Sequence, residues 1–527
     1  VGQAELLIAG LLVSVAGLSA VARFLSIPYP IVLVIGGALF GLVPGMPEVK
    51  LNPDVVLVVF LPPLLYGAAF FSNFGDLRAN LRSLSLASIG LVLFTMCAVA
   101  LAAHRLIDGI TWAGAFSLGA VVSPTDPLAG GSIMRRLGLP RRIVSSVEGE
   151  GLFNDATALV AYRVAVAAAV GGSFSLASAG LKFVLGAAGG IAIGLAVGWV
   201  IAEIRARISD AQVSITISLL SGYAAFIPAD AVGVSGVVAA VTTGIYMGFR
   251  GPSIISARTR LQGFFVWDIL DFLLNAALFV LIGLQLRTVL DGLGGYSVGS
   301  LAGYAAAVSG VVIVTRFVWM FTMPYVIRAL DRRPSQRARR VGARLRVVIA
   351  WSGMRGAVSL AAALALPLKT HAGTPFPDRD LILFLTFSVI FSTLVLQGLT
   401  LPAVIRGLGV TDDGSGDSEE LKARLYATKA ALARIDALAE EDWTRDETIE
   451  RMRALYEYRK RRFAARAGKI EDDGYEDRSL AYQQMVLSVL AAEREALVEL
   501  RNEGTISNEV MNRLIRDFDL EESRLEI

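Results

Sequence analysis

Cysteine and histidine are nearly missing from this chain. Its 527 residues include one cysteine, Cys97, and two histidines, His104 and His371. A single cysteine excludes an internal disulfide framework and a cysteine metal site. Two histidines far apart in the sequence leave no histidine metal motif. Charge is scarce too: Asp, Glu, Lys and Arg make up 18% of the chain, where soluble proteins carry about 25%. No nucleophile–base–orienter set and no cofactor motif stands out, which argues against an enzyme, and no cofactor is expected. Neither a basic segment nor a small-residue cleavage site precedes the first apolar run, so that run is expected to enter the bilayer directly.

What is present is apolar length. Hydrophobic residues make up 54% of the chain. Runs near the ~20 residues that span a bilayer recur from residue 4 to about residue 408. The pattern predicts an all-α polytopic membrane protein with thirteen spans, roughly 4–25, 29–45, 54–72, 83–104, 110–131, 143–170, 176–202, 211–229, 231–249, 262–286, 300–327, 346–368 and 380–406. Arginines collect after the odd-numbered spans: Arg78 and Arg82; Arg135, Arg136, Arg141 and Arg142; Arg205 and Arg207; Arg250, Arg258 and Arg260; and eight from Arg328 to Arg346. Loops after even-numbered spans hold few. Because cytoplasmic loops carry the positive excess, the N-terminus is expected outside and the C-terminus in the cytoplasm. The basic excess therefore calls for no nucleic acid; membrane lipid is the expected partner. His104 and His371 fall in predicted outside loops and receive no role.

Beyond the last span the solvent changes. From residue 411 onward there are 19 Lys+Arg against 28 Asp+Glu, whereas the first 410 residues hold 30 against 18. Residues 1–408 read as the membrane domain and 409–418 as a flexible acidic linker. Residues 419–527 read as a cytoplasmic helical domain, with Leu, Ala and Met at three-to-four spacing. Nothing in that domain names its partner.

Two spans carry breakers at their centres. The fifth has Pro124 and Pro127 around Thr125-Asp126; the twelfth has Gly353 and Gly356 around Met354-Arg355. Proline removes a backbone donor and clashes with the preceding turn. Irregular backbone at membrane depth survives only where protein buries it or water lines it. One interrupted span in each half suggests inverted repeats, spans 1–6 and 8–13, with crossing broken helices and a site between them.

Charge inside such spans is costly and usually functional. Asp126 lies in the broken fifth span, and Asp155 lies in the sixth beside Asn154. On a helix Glu150 and Asn154 share one face, and Gly151 and Asp155 the next. Asp155 is thus expected to look into an opening above Gly151. Small hard cations want oxygen ligands. Asp155, Asp126, the Thr125 hydroxyl or carbonyl, and carbonyls freed by the prolines could supply them. Burial and mutual repulsion disfavour ionisation of two adjacent carboxylates, so protons would compete with a cation for the same oxygens. If the protein moves only when that site is neutralised, exchange follows. Arg316 is the best partner available to Glu150, and Arg355 could offset the negative half-helix ends. Glu148 and Arg163 are expected near span ends. Asp268 and Asp271 are expected near the start of the tenth span, at an entry funnel or simply in solvent.

Three motifs, Glu150-Gly151-Leu152-Phe153-Asn154-Asp155, Thr125-Asp126-Pro127 and Trp351-Ser352-Gly353-Met354-Arg355-Gly356-Ala357, together resemble the monovalent cation:proton antiporters of the NhaP type. The resemblance covers about residues 1–408. It implies a thirteen-span fold with a six-helix ion-carrying core and a dimerisation domain, working as a homodimer by elevator-like alternating access in the plasma membrane. It further implies that Asp155 and Asp126 bind the ion with Thr125, that Asn154 stabilises the site, and that Glu150 pairs with Arg316. An Asn-Asp pair in place of Asp-Asp implies electroneutral exchange of Na+ or Li+ for H+. Many members have serine where this chain has Gly151, so one expected ligand is missing. K+/H+ exchange on the same fold is the alternative. A channel or a membrane sensor with the tail as output is the alternative of another class.

Overall fold

This computed structural model describes residues 3–25, 27–43, 53–72, 75, 84–171, 176–293, 295–330, 341–412, 414–523 and 525. Arg78, Arg82, residues 331–340 of the arginine-rich segment and Asp413 of the linker lie outside them. The regular structure of the described residues is helical, apart from an isolated bridge between Lys369 and Pro375. The chain forms two compact units, Val1–Asp412 and Asp413–Ile527.

The first unit opens with α1 (Gln3–Leu25), α2 (Tyr29–Gly41) and α3 (Pro53–Phe70), then a π-helical turn, Leu86–Leu91, that runs on into α4 (Val92–Leu106). Next come α5 (Trp112–Val122), α6 (Pro127–Arg136), α7 (Arg141–Gly171), α8 (Leu176–Ala206), α9 (Ala211–Ala231), α10 (Gly236–Ile254) and α11 (Ala257–Leu284). The short α12 (Leu286–Asp291) precedes α13 (Val298–Leu330), α14 (Ala343–Trp351), α15 (Ala357–Leu364) and α16 (Arg379–Ser392). A second π-helical turn, Thr393–Gln397, joins α16 to α17 (Gly398–Gly407). Among the described residues seven helices are long and apolar enough to cross a membrane, and four shorter ones are equally apolar.

Side-chain size decides which helices meet. In α8, Gly190, Gly194 and Gly198 recur every fourth residue and face α10. A side chain at Gly190 would stand 2.6 Å from the Ser235 carbonyl oxygen, and one at Gly194 2.5 Å from that of Ala239. Without such a side chain the two backbones approach closely, as small residues allow between apolar helices. α3, α8, α9 and α10 pack together in this way, and α2 packs on α11. The helices from α4 to α7 pack among themselves and with those from α13 to α17. The site lies where these groups face one another.

Two breaks position it. Between α5 and α6 the chain leaves the helix at Ser123 and resumes at Pro127; between α14 and α15 it leaves at Ser352 and resumes after Gly356. The two irregular stretches touch: the Asp126 amide donates to the Met354 carbonyl at 2.8 Å. This bond satisfies backbone groups that no helix can.

The second unit contains α18 (Ser415–Leu438), α19 (Asp446–Arg466), α20 (Tyr475–Asn502) and α21 (Asn508–Glu522). Leu425, Leu432 and Ile435 of α18 are buried, as is Leu490 of α20. Arg462 of α19 donates to both carboxylate oxygens of Glu476 on α20, at 3.0 and 3.1 Å, the paired geometry that suits a guanidinium.

Candidate functional site

The site begins with a buried relay of side chains. Arg316, on α13, donates to Glu150 on α7 at 2.5 Å, and its Nε donates to the Ile349 carbonyl on α14 at 3.2 Å. The Thr125 hydroxyl donates to the same Glu150 carboxylate at 3.4 Å, and Asn154 donates to the Thr125 hydroxyl at 2.6 Å and to its carbonyl at 3.4 Å. Four elements are joined: α7, the α5–α6 break, α13 and α14. All four side chains are buried. An ion pair at that depth holds its geometry tightly, since breaking it would leave a charge uncompensated.

Arg355 is also buried, between the two breaks. It donates through Nε to the Val122 carbonyl at 3.1 Å and through a terminal nitrogen to the Gly353 carbonyl. Val122 is the last residue of α5, so the guanidinium meets the negative end of that half-helix. The Arg355 amide in turn donates to the Thr393 hydroxyl at 3.1 Å, in the second π-helical turn. Such turns often sit at functional positions.

In front of this relay lies an open-mouthed cavity. Thr125, Asp126, Gly151 and Asp155 line it, and so do Glu148, Asp271, Asn275, Gly356 and Ser359. The Asp126 carboxylate occupies the space where a side chain at Gly356 would stand. Thus the structure gathers Asp126, Asp155 and Thr125 at one cavity wall, while Glu150, Asn154, Arg316 and Arg355 form the layer behind it. Among the described residues no three His, Cys, Asp or Glu side chains cluster as a metal-ligand set. A cation here would meet two carboxylates and neutral oxygens.

Two expectations change. The space above Gly151 is filled, not open: a side chain there would stand 2.6 Å from the Cδ and Cγ of Pro127. Gly151 lets the proline ring seat against α7, so Asp155 faces the cavity beside that contact. Asp271 lies midway along α11, which begins at Ala257, and lines the cavity with Asp126 and Asp155; Asp268 is exposed. Glu148 and Arg163 are each paired with a residue at a helix end, Glu148 with Arg135 of α6 and Arg163 with Asp230 of α9. Sequence reasoning missed Asn275, Ser359 and Thr393. Hydroxyls and amides are ordinary in apolar helices, and nothing in their local spacing marks them.

The family described as sodium/hydrogen exchanger, transmembrane, matches residues 10–407. An uncharacterized Na+/H+ exchanger of Mycobacterium bovis is 38% identical over 500 residues, 94% of this chain and 91% of the relative. A Bacillus subtilis protein named sodium, potassium, lithium and rubidium/H+ antiporter is 31% identical over 522 residues, 97% of this chain and 76% of its own. The solved structure of the sodium proton antiporter MjNhaP1 from Methanocaldococcus jannaschii at pH 8 matches with a TM-score of 0.58 at 19% identity. It covers 76% of this chain and 100% of that one, a likeness of fold.

Proposed function

The chain belongs to the sodium/hydrogen exchanger family, and from that premise we propose that it exchanges Na+ for H+ across the plasma membrane, one for one. The observation that carries this reading is the pair Asp126 and Asp155, two carboxylates that line one cavity. Neither can shed its charge into bulk solvent, so the site is neutralised by a proton or by a cation. Asp155 and Asp126 bind the ion with an oxygen of Thr125. Asn154 and Glu150 hold Thr125 in place through the relay that Arg316 anchors, and Arg355 fastens the two breaks together. Because Asn154 is neutral, the moving site carries one fewer charge than an Asp-Asp pair would, which favours electroneutral exchange.

The architecture that goes with this function has thirteen spans in two inverted repeats, broken at the fifth and twelfth. The N-terminus lies outside and the acidic tail beyond residue 418 in the cytoplasm. The chain works as a homodimer by alternating access. A second reading, K+/H+ exchange, is favoured by the Bacillus subtilis relative, whose name includes potassium.

The test is transport in proteoliposomes, followed as dissipation of a pH gradient on addition of Na+, Li+ or K+. Na+ and Li+ should dissipate the gradient in the wild type, and Asp155→Asn should not respond although it purifies as a folded protein. Near-normal exchange by Asp155→Asn would remove the central assignment, and a response to K+ alone would select the second reading. Strong dependence of the rate on an imposed membrane potential would contradict one-for-one exchange.

A further inference from the structure

The cavity holds a side-chain oxygen that neither the relay nor the two carboxylates account for. Ser359 lines the cavity with Asp126 and Asp155, and the residue is 1% exposed. It lies in the first turn of α15, one helical turn on from Gly356, and residues three apart share a helix face. The Asp126 carboxylate sits against Gly356 on that face, which places the Ser359 hydroxyl next to it.

That hydroxyl makes no hydrogen bond to any described residue. Several buried hydroxyls on the neighbouring helices bond locally instead, although Thr95 of α4 and Thr386 of α16 have no partner among the described residues and do not line the cavity. Ser117 donates to the Ala113 carbonyl, Thr157 to Phe153, Ser352 to Ile349 and Thr393 to Val389. This local bonding is the usual way for a helix to satisfy such a group. Two other neutral side chains of the cavity are engaged, Thr125 through its hydroxyl and Asn275 through its amide nitrogen. The Thr125 hydroxyl has its proton on Glu150 and receives Asn154, and the Asn275 amide donates to the Asp271 carbonyl at 2.9 Å. At Gly151 the Pro127 ring leaves no room for a hydroxyl-bearing side chain. A cavity-lining hydroxyl without a protein partner is free to take one from the cavity, and beside two carboxylates a hard cation would supply it.

We infer that the Ser359 hydroxyl is a direct ligand of the transported cation, so that the neutral side-chain oxygen of this site comes from the second broken span and not from α7. The inference rests on the exchange reading above. It makes each broken span contribute to one coordination shell: Asp126 from the first, Ser359 from the second, with Asp155 between.

Exchange rates against Na+ concentration in proteoliposomes test it, with wild type, Ser359→Ala, Ser359→Thr and Asp155→Asn side by side. Ser359→Ala should raise the half-saturating Na+ concentration about tenfold, equivalent to about 1.4 kcal/mol, with the maximal rate unchanged. Ser359→Thr, which keeps the hydroxyl, should stay near the wild type. A Ser359→Ala curve that superposes on the wild type overturns the inference. So does a Ser359→Thr curve displaced as far as that of Ser359→Ala, since packing and not the oxygen would then matter. If Ser359→Ala shows no exchange at any concentration, restored exchange in Ser359→Thr supports the ligand, and its failure to restore overturns it. Wild-type exchange that persists in Asp155→Asn fails the underlying reading instead, whatever Ser359 does.

Discussion

In the first interrupted span Pro124 and Pro127 withhold two amide donors; in the second, Gly353 and Gly356 keep their donors and give up side chains. The first break is imposed locally, because a proline lacks the amide donor and its ring clashes with the preceding turn, so that a helix starts at Pro127 but does not run on into it. The second is shaped by what arrives from elsewhere. Arg316 from α13 fills the space beside Gly353, and Asp126 fills the space beside Gly356. One break carries a carboxylate and the other a guanidinium, and each meets the other's backbone: Asp126 N–H on Met354, Arg355 on Val122. A broken helix at membrane depth therefore has two solutions. One removes the groups that would need satisfying; the other makes room for a partner that satisfies them.

The comparison can be broken or sharpened by substitution. The largest effect is expected at the carboxylate. Asp126→Asn should reduce Na+-driven proton movement to that of protein-free liposomes, while size-exclusion chromatography shows an intact protein. Retained exchange would make the first break purely structural. Next comes the relay behind it. Glu150→Gln or Arg316→Gln alone leaves the opposite charge buried and unpaired, and each should destabilise the protein by about 3–5 kcal/mol. Thermal denaturation in detergent should show both shifts, and the double variant should lose less than their sum. Additive losses would mean that the ion pair is not the coupled unit described.

A smaller difference separates the two kinds of break directly. Gly356→Ala drives a methyl group into the Asp126 carboxylate, an overpacking that should cost about 1–3 kcal/mol and lower the exchange rate. Pro124→Ala removes a constraint without inserting anything, and should move the melting temperature and the exchange rate less. Equal effects would erase the distinction. The smallest effect lies in the second unit. The hydrogen bond from Arg462 holds the Glu476 carboxylate below its ordinary value of 4.5. A depressed carboxylate contributes stability above its unfolded value, and that contribution is lost as pH falls through the folded one. Glu476→Gln should therefore weaken hydrogen-exchange protection at the start of α20 near neutral pH, by less than about 1 kcal/mol for a partly exposed pair. The difference should fade as the solution is acidified below pH 4.5. A difference that persists in acid would assign the contact to packing.

Charge in an apolar run is conspicuous, which is why Asp126, Asp155, Glu150 and Arg316 could be picked out from the sequence. Helical spacing also placed Glu150 with Asn154 on one face, and both reach Thr125. The same spacing misled at Gly151. It reports the side chains of one helix and is silent on a proline ring arriving from another. Asp271 was placed too shallow because α11 begins at Ala257, five residues before the apolar run chosen for it. Ser359 and Thr393 were invisible for a related reason. A hydroxyl in a span is ordinary until the helix opposite it is known.

Composition and patterning settled the solvents: apolar spans to about residue 408, a charged acidic tail after them, and breakers at the centres of two spans. These are properties of each residue taken with its near neighbours, and proline, glycine and a buried charge express them wherever the chain goes. Which broken span faces which, that Asp126 lies over Gly356, that Pro127 closes Gly151, and that Ser359 is left without a partner depend on contacts between residues dozens to hundreds of positions apart. Packing sets those contacts, because the space beside a residue is filled by whatever other helices bring there.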